Sequence, residues 1–302
     1  MNLEVKIAGV TFKNPIILAS GCCGFGQEYD KFYPMEALGG LSLKGLTPNE
    51  RQGNPPPRVA ETPSGMLNSV GLQNPGIDAF LERELPNLAG RDTVKIANAA
   101  GATVEEYAYM AQRLDASPID MIEANISCPN VKQGGAAFGT DCSMAAQVVT
   151  AMRKNTTKPL MVKLSPNVTD IVSIAKSVED AGADAISLIN TLLGMRIDIS
   201  TRRPVLHQNV GGLSGPAVFP IALRMVWQVA SAVKIPVVGL GGIAKWQDVI
   251  EMMIAGAKAV QIGAALFGDP FTPVKILEGI QQWMEQKGIS DINDIIGSVQ
   301  PY

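Results

Sequence analysis

Eight short, almost uninterrupted apolar runs constrain this chain more than anything else in it: Pro15 to Ser20, Gly40 to Gly45, Val94 to Ala99, Ile119 to Asn125, Leu160 to Leu164, Ala183 to Asn190, Pro236 to Gly241 and Ala259 to Gly263. Short runs without polar alternation are strands buried on both faces, the pattern of a parallel sheet. Helix-period segments lie between them, among them Val104 to Leu114, Cys142 to Lys154, Thr169 to Ala181, Pro220 to Val233 and Trp246 to Ala255. Strand and helix alternate, so the expected fold is α/β, and eight units point to closure as a (β/α)8 barrel of the TIM type. At 302 residues the chain fits one such barrel and has no linker-like stretch, so 1–302 reads as a single domain. Glu4 to Ile7 and Val10 to Phe12, around Ala8-Gly9, read as a hairpin capping the barrel bottom.

Active sites of such barrels stand at the C-terminal strand ends. Here those ends carry Ser20, Lys44, Asn98, Asn125, Lys163 and Asn190, then the pair Gly241-Gly242, then Gly263. Asparagine and glycine favour turns in any protein, which accounts for any single one of them. Turn preference explains neither lysine, and the set as a whole reads as one cationic, amide-lined cavity. Two connections, Leu46 to Ile77 and Thr191 to Ala217, are too long for ordinary barrel loops and are expected to arch over it.

Charged residues make up 18% of the chain, the net charge is -3, and Lys and Arg are scattered without interleaved aromatics, so there is no basic field for a nucleic acid. No stretch approaches about eighteen apolar residues, and the N-terminus lacks a secretory pattern, so no membrane span and a cytoplasmic location are expected. The four cysteines include adjacent Cys22 and Cys23 and form no C-x-x-C pair, and His207 is the only histidine. Neither a disulfide framework nor a metal site follows from that spacing.

Gly241-Gly242 and Gly263-Ala264 end strands seven and eight, where barrels commonly bind phosphate through backbone N-H groups. Closely packed glycine with no ligand is the alternative. There is no G-x-G-x-x-G after a strand and no Walker A sequence, so a mononucleotide such as FMN fits better than a dinucleotide or ATP. Lys163 would set a cation against the electron-rich pyrimidine end of a flavin, unless it only snorkels from the rim. Cys128 follows strand four in Asn125-Ile-Ser-Cys128-Pro-Asn130. Thiols titrate near ~8.5, close enough to neutrality to serve as a base, although a buried cysteine is more commonly a small hydrophobe.

The chain resembles the class 1 dihydroorotate dehydrogenases over essentially its whole length, most closely the class 1B catalytic subunit. The resemblance rests on Asn14-Pro-Ile-Ile-Leu-Ala-Ser-Gly21, Gly53-Asn-Pro-Pro-Pro-Arg58, Gly65-Met-Leu-Asn-Ser-Val-Gly-Leu-Gln-Asn-Pro-Gly76, Asn125-Ile-Ser-Cys-Pro-Asn130, Val162-Lys-Leu-Ser-Pro-Asn167, Ile189-Asn-Thr191 and Gly211-Gly-Leu-Ser-Gly-Pro216. It implies oxidation of dihydroorotate to orotate in pyrimidine synthesis, hydride passing to FMN while Cys128 removes the substrate C5 proton. It places Ser20, Lys44, Gly45, Asn98, Asn125, Lys163, Ile189, Gly215, Gly241, Gly242, Gly263 and Ala264 around FMN. It places Lys44, Asn68, Ser69, Val70, Gly71, Leu72, Asn125, Asn130, Asn190 and Thr191 around orotate. It also implies a partner subunit carrying FAD and a 2Fe-2S cluster that reduces NAD, in a heterotetramer of two catalytic and two electron-transfer chains.

Three positions depart from the family pattern: Gly45, Cys23 and Ala264, where other members often carry a small or hydroxylated residue, Phe, and Thr or Ser respectively. Backbone donation survives at Gly45 and Ala264, so only side-chain bonds to FMN are affected. Two other readings stay open at this point. One is the fumarate-dependent class 1A reaction, which needs no partner. The other is a phosphate-binding barrel without redox activity.

Overall fold

A computed structural model describes residues 1–126 and 138–302. The chain opens with the antiparallel hairpin β1 (Val5–Ile7) and β2 (Val10–Phe12), followed by β3 (Ile16–Leu18) and β4 (Gly40–Ser42). It then leaves the barrel for β5 (Val59–Thr62) and β6 (Gly65–Asn68), and returns as β7 (Val94–Ala99), β8 (Met121–Asn125), β9 (Leu160–Lys163) and β10 (Ala185–Leu188). A second excursion forms β11 (Leu192–Gly194), β12 (Ile197–Asp198), β13 (Arg203–Pro204) and β14 (Gly211–Ser214), before β15 (Val237–Leu240) and β16 (Ala259–Ile262) complete the set.

Strands β3, β4, β7, β8, β9, β10, β15 and β16 are parallel neighbours in that order, and β16 pairs with β3 to close the barrel. All eight apolar runs of the sequence therefore become barrel strands. Closure leaves no open edge and buries both faces, which is why these segments lack polar alternation. The hairpin lies at the bottom, where the Phe12 ring packs against Gly40 at the start of β4. One continuous hydrophobic cluster runs from Val5 to Ile295.

The helices follow the periodicity at Val104–Asp115, Cys142–Arg153, Ile171–Asp180, Phe219–Ala230 and Trp246–Ile254. Thr103, Asp141 and Asp170 cap three of them by accepting from the first-turn N-H groups, each cap being worth about 1 kcal/mol. A further helix, Thr272–Lys287, follows β16 and buries Ile276, Ile280 and Met284. The first crossover has no such helix. Residues 21–39 run in turns apart from the short 3-10 helix Met35–Ala37, and buried Asn14 ties them to the barrel: its Oδ1 accepts from Ile16 and Gly39 N-H, and its Nδ2 donates to the Ala37 carbonyl.

The two long connections meet over the barrel mouth in one antiparallel sheet of order β11-β14-β6-β5, with Asn68 opposite Gly212. Gly212 cannot be replaced without movement, since a Cβ there would stand 2.0 Å from the Thr191 hydroxyl. Asn74 anchors the first excursion by accepting from Thr47 and Gly76 N-H and donating to the Thr47 hydroxyl and the Leu72 carbonyl. Among the described residues, no helix is long and apolar enough to cross a membrane.

Candidate active site

The C-terminal strand ends and the sheet above them enclose one cavity. Its wall includes Ser20, Lys44, Gly45, Asn98, Asn125, Lys163, Ile189, Gly215, Gly241, Gly242, Gly263 and Ala264, the whole set expected around a cofactor. Of the residues expected around a substrate, Lys44, Asn68, Val70, Gly71, Leu72, Asn125, Asn190 and Thr191 also line it. Ser69 does not: it is fully buried, and its N-H donates to the Arg58 carbonyl. Along an extended segment Asn68 and Val70 share a side, so the residue between them faces away. Cys128 and Asn130 lie outside the described residues.

One end of the cavity is a backbone cradle. Gly241 and Gly242 take φ of 122° and 77°, left-handed values suited to glycine. A Cβ on Gly242 would stand 2.7 Å from Phe219 N and 2.8 Å from the Gly215 carbonyl. The N-H groups of Gly242, Ile243 and Ala264 donate to no backbone acceptor among the described residues. Three N-H groups without a backbone acceptor, beside two strand ends, are an arrangement suited to a phosphate.

Other parts of the wall are polar and joined by hydrogen bonds. Asn190 Nδ2 donates to Asn125 Oδ1 at 3.4 Å, and Asn125 Nδ2 donates to Asn98 Oδ1 at 3.5 Å. Buried Tyr107 holds the strand end by donating its hydroxyl to the Asn125 carbonyl at 2.8 Å. Ser20 donates to the Leu43 carbonyl at 2.7 Å. Lys163 is only 5% exposed.

Below lies a polar layer that the sequence reading does not contain. Glu123, fully buried on β8, accepts from Ser42 Oγ (2.7 Å), Asn98 Nδ2 (2.7 Å), Ser187 Oγ (2.8 Å) and Gln261 Nε2 (2.7 Å). Ser42, Glu123, Ser187 and Gln261 come from alternate strands, the layering of barrel interiors, with polar groups in place of the usual branched apolar ones. The available signal was an acid inside the apolar run Met-Ile-Glu-Ala, since glutamate is almost never fully buried unless paired. Burial by itself would raise the Glu123 pKa. Lys163 and the hydroxyl and amide donors outweigh burial and hold the pKa below the ordinary carboxylate value.

A folded-state pKa below the unfolded one means that the unfolded chain takes up the proton first as pH falls. The stability contributed by Glu123 is thus present above about pH 4.3 and is lost as pH drops through and below it. Urea unfolding midpoints are expected to fall more steeply in wild type than in Glu123→Gln as pH drops from about 5 to about 3; equal slopes would contradict this.

Cys22 also lines the cavity, where burial pushes its thiol up to about 11 despite the opposing influence of Lys163 and Lys44. It therefore stays protonated at neutral pH. Cys23 is buried in the core and its thiol donates to the Ala19 and Ser42 carbonyls, consistent with packing in place of a larger apolar residue. His207 is exposed and lines no part of the cavity.

The family model described as dihydroorotate dehydrogenase matches residues 2–284. The chain is 55% identical over 300 residues to the dihydroorotate dehydrogenase B (NAD(+)) catalytic subunit of Thermoanaerobacter pseudethanolicus, covering 99% of each chain. It is 54% identical to the protein of the same name from Trichlorobacter lovleyi, covering 99% of this chain and 98% of the relative. It is 51% identical to the one from Oceanobacillus iheyensis, covering 98% of both.

Proposed function

The chain belongs to the dihydroorotate dehydrogenase family, and from that membership we propose that its barrel mouth holds FMN and oxidises dihydroorotate to orotate in pyrimidine synthesis. It acts as a single-domain, cytoplasmic catalytic subunit. Its electrons leave for NAD through a partner carrying FAD and a 2Fe-2S cluster, in a heterotetramer of two chains of each kind. The observation that carries the reading is the meeting, in one cavity, of a phosphate cradle, Lys163, and the amides Asn98, Asn125 and Asn190.

FMN fits these residues. The N-H groups of Gly242, Ile243 and Ala264 would hold its phosphate, and Lys163 would face its pyrimidine end, where negative charge gathers on reduction. When bound, it supplies a two-electron acceptor that no side chain provides.

The remaining work falls to the chain itself. Lys44 draws in the substrate carboxylate. Asn68, Asn125, Asn190 and Asn130 donate to and accept from the polar edge of the substrate ring, and their short side chains fix its orientation. The sheet β11-β14-β6-β5 covers the cavity and keeps bulk water from the reacting carbons. Cys128 Sγ takes the proton from substrate C5, the one step that needs a base.

Purified alone, the chain is expected to carry bound FMN and to bleach when dihydroorotate is added without oxygen. NAD reduction is expected only once the FAD and iron-sulfur subunit is present. A colourless preparation that cannot be reconstituted with FMN would sink the redox reading. Efficient turnover with fumarate by the isolated chain, with no binding of such a subunit, would sink the NAD-linked assignment.

A further inference from the structure

Glu123 has no task in the mechanism above, although four donors from four other barrel strands converge on it. An ionised carboxylate only accepts hydrogen bonds, and this dictates how its neighbours point. Asn98 must turn Nδ2 toward Glu123, which leaves Asn98 Oδ1 for Asn125 Nδ2. Asn125 Oδ1 is then left for Asn190 Nδ2. One buried acceptor thereby sets the polarity of three consecutive amides on the cavity wall. It orients Gln261 in the same way: the amide nitrogen goes to Glu123, and Oε1, buried and without a partner among the described residues, is left for a donor bound in the cavity.

Its charge matters as well. Lys163 lies one strand over, and the two interact electrostatically inside the barrel, where a low dielectric keeps such effects strong.

We propose that Glu123 is a positioning residue for the reaction: without touching cofactor or substrate, it orders the amides of the cavity and offsets the field of Lys163, so that bound FMN is harder to reduce than Lys163 alone would make it. The inference rests on the FMN reading given above. A negative charge near a group that gains electrons opposes the gain, so its removal eases reduction. The Glu123→Asp substitution keeps the charge while disturbing the same four hydrogen bonds. A purely structural role would not move the reduction potential with the charge.

The test is the midpoint potential of FMN bound to the full-length chain, measured against a reference dye in wild type, Glu123→Gln and Glu123→Asp. Absorbance of the bound cofactor verifies loading. Glu123→Gln is expected to shift the equilibrium toward reduced FMN about tenfold, equivalent to about 30 mV for a two-electron couple. Glu123→Asp is expected to stay within about threefold of wild type. A loaded Glu123→Gln chain within threefold of wild type, or an aspartate variant that shifts as far as glutamine does, overturns the proposal. If Glu123→Gln does not fold, Ser187→Ala carries the test. It strips one donor from the carboxylate and leaves its charge less compensated, so the potential should move the opposite way, and an unchanged or raised potential overturns the proposal. A wild-type chain that takes up no FMN overturns the functional reading and this inference with it, whereas a loaded chain with an unmoved potential overturns this inference alone.

Discussion

Replacing Cys128 by serine is expected to slow the reduction of bound FMN by dihydroorotate by about 10²–10⁴-fold near pH 7, the usual contribution of a positioned base. A free cysteine thiol titrates near ~8.5, whereas a serine hydroxyl holds its proton far more tightly and cannot accept one from carbon at neutral pH. The loss should shrink as pH rises toward about 10, because the ionised fraction of the more weakly acidic hydroxyl grows with pH. FMN affinity and midpoint potential should stay at wild-type values, since the cradle and Lys163 are untouched; this separates a lost base from a damaged site. Anaerobic stopped-flow bleaching across that pH range is the measurement. A serine variant as fast as wild type near pH 7 removes Cys128 from the chemistry.

Legibility in the sequence followed the range of the interactions involved. The eight barrel strands were readable because burial on both faces leaves a local mark, an apolar run ended by a turn residue. The side chains at their exits were readable for the same reason, since a strand end in a closed barrel points to one place. Pairing between β6 and β14, about 144 residues apart at Asn68 and Gly212, leaves no local mark. The length of the two connections predicts that they arch over the cavity, but their short glycine-containing segments read equally well as loop, and only the structure joins them into one sheet.

The site residues divide along the same line. Lys44, Lys163 and the three asparagines stand out against apolar surroundings. Ser69 was placed with its neighbours by motif, and strand alternation turns it away. Ser42, Ser187 and Gln261 are ordinary residues within their own strands. They acquire meaning only around Glu123, because closure of the barrel brings alternate strands to one level. The same holds for Tyr107, whose hydroxyl crosses from a helix to the Asn125 carbonyl.

Gly242→Val is expected to remove tight FMN binding and to destabilise the chain by about 3 kcal/mol. A β-branched side chain in the left-handed region costs about 1–2 kcal/mol, and forcing its methyls against packed backbone adds about 1–3 kcal/mol. Here the obstacle is backbone, Phe219 N and the Gly215 carbonyl, which cannot swing aside as a side chain would. Relief requires the turn at the end of β15 to move, and that turn carries the Gly242 and Ile243 donors. Losing two charge-assisted hydrogen bonds, each worth about 1.5–3 kcal/mol, weakens FMN by about a hundredfold or more. Riboflavin, which lacks the phosphate, should lose far less, so the preference for FMN over riboflavin should collapse. Gly268→Ala is the control: a Cβ there meets nothing within 4 Å, so stability and FMN binding should both hold. Flavin fluorescence titrations on the apoprotein read all of these affinities. If Gly242→Val keeps the wild-type preference for FMN over riboflavin, the phosphate does not sit in this cradle.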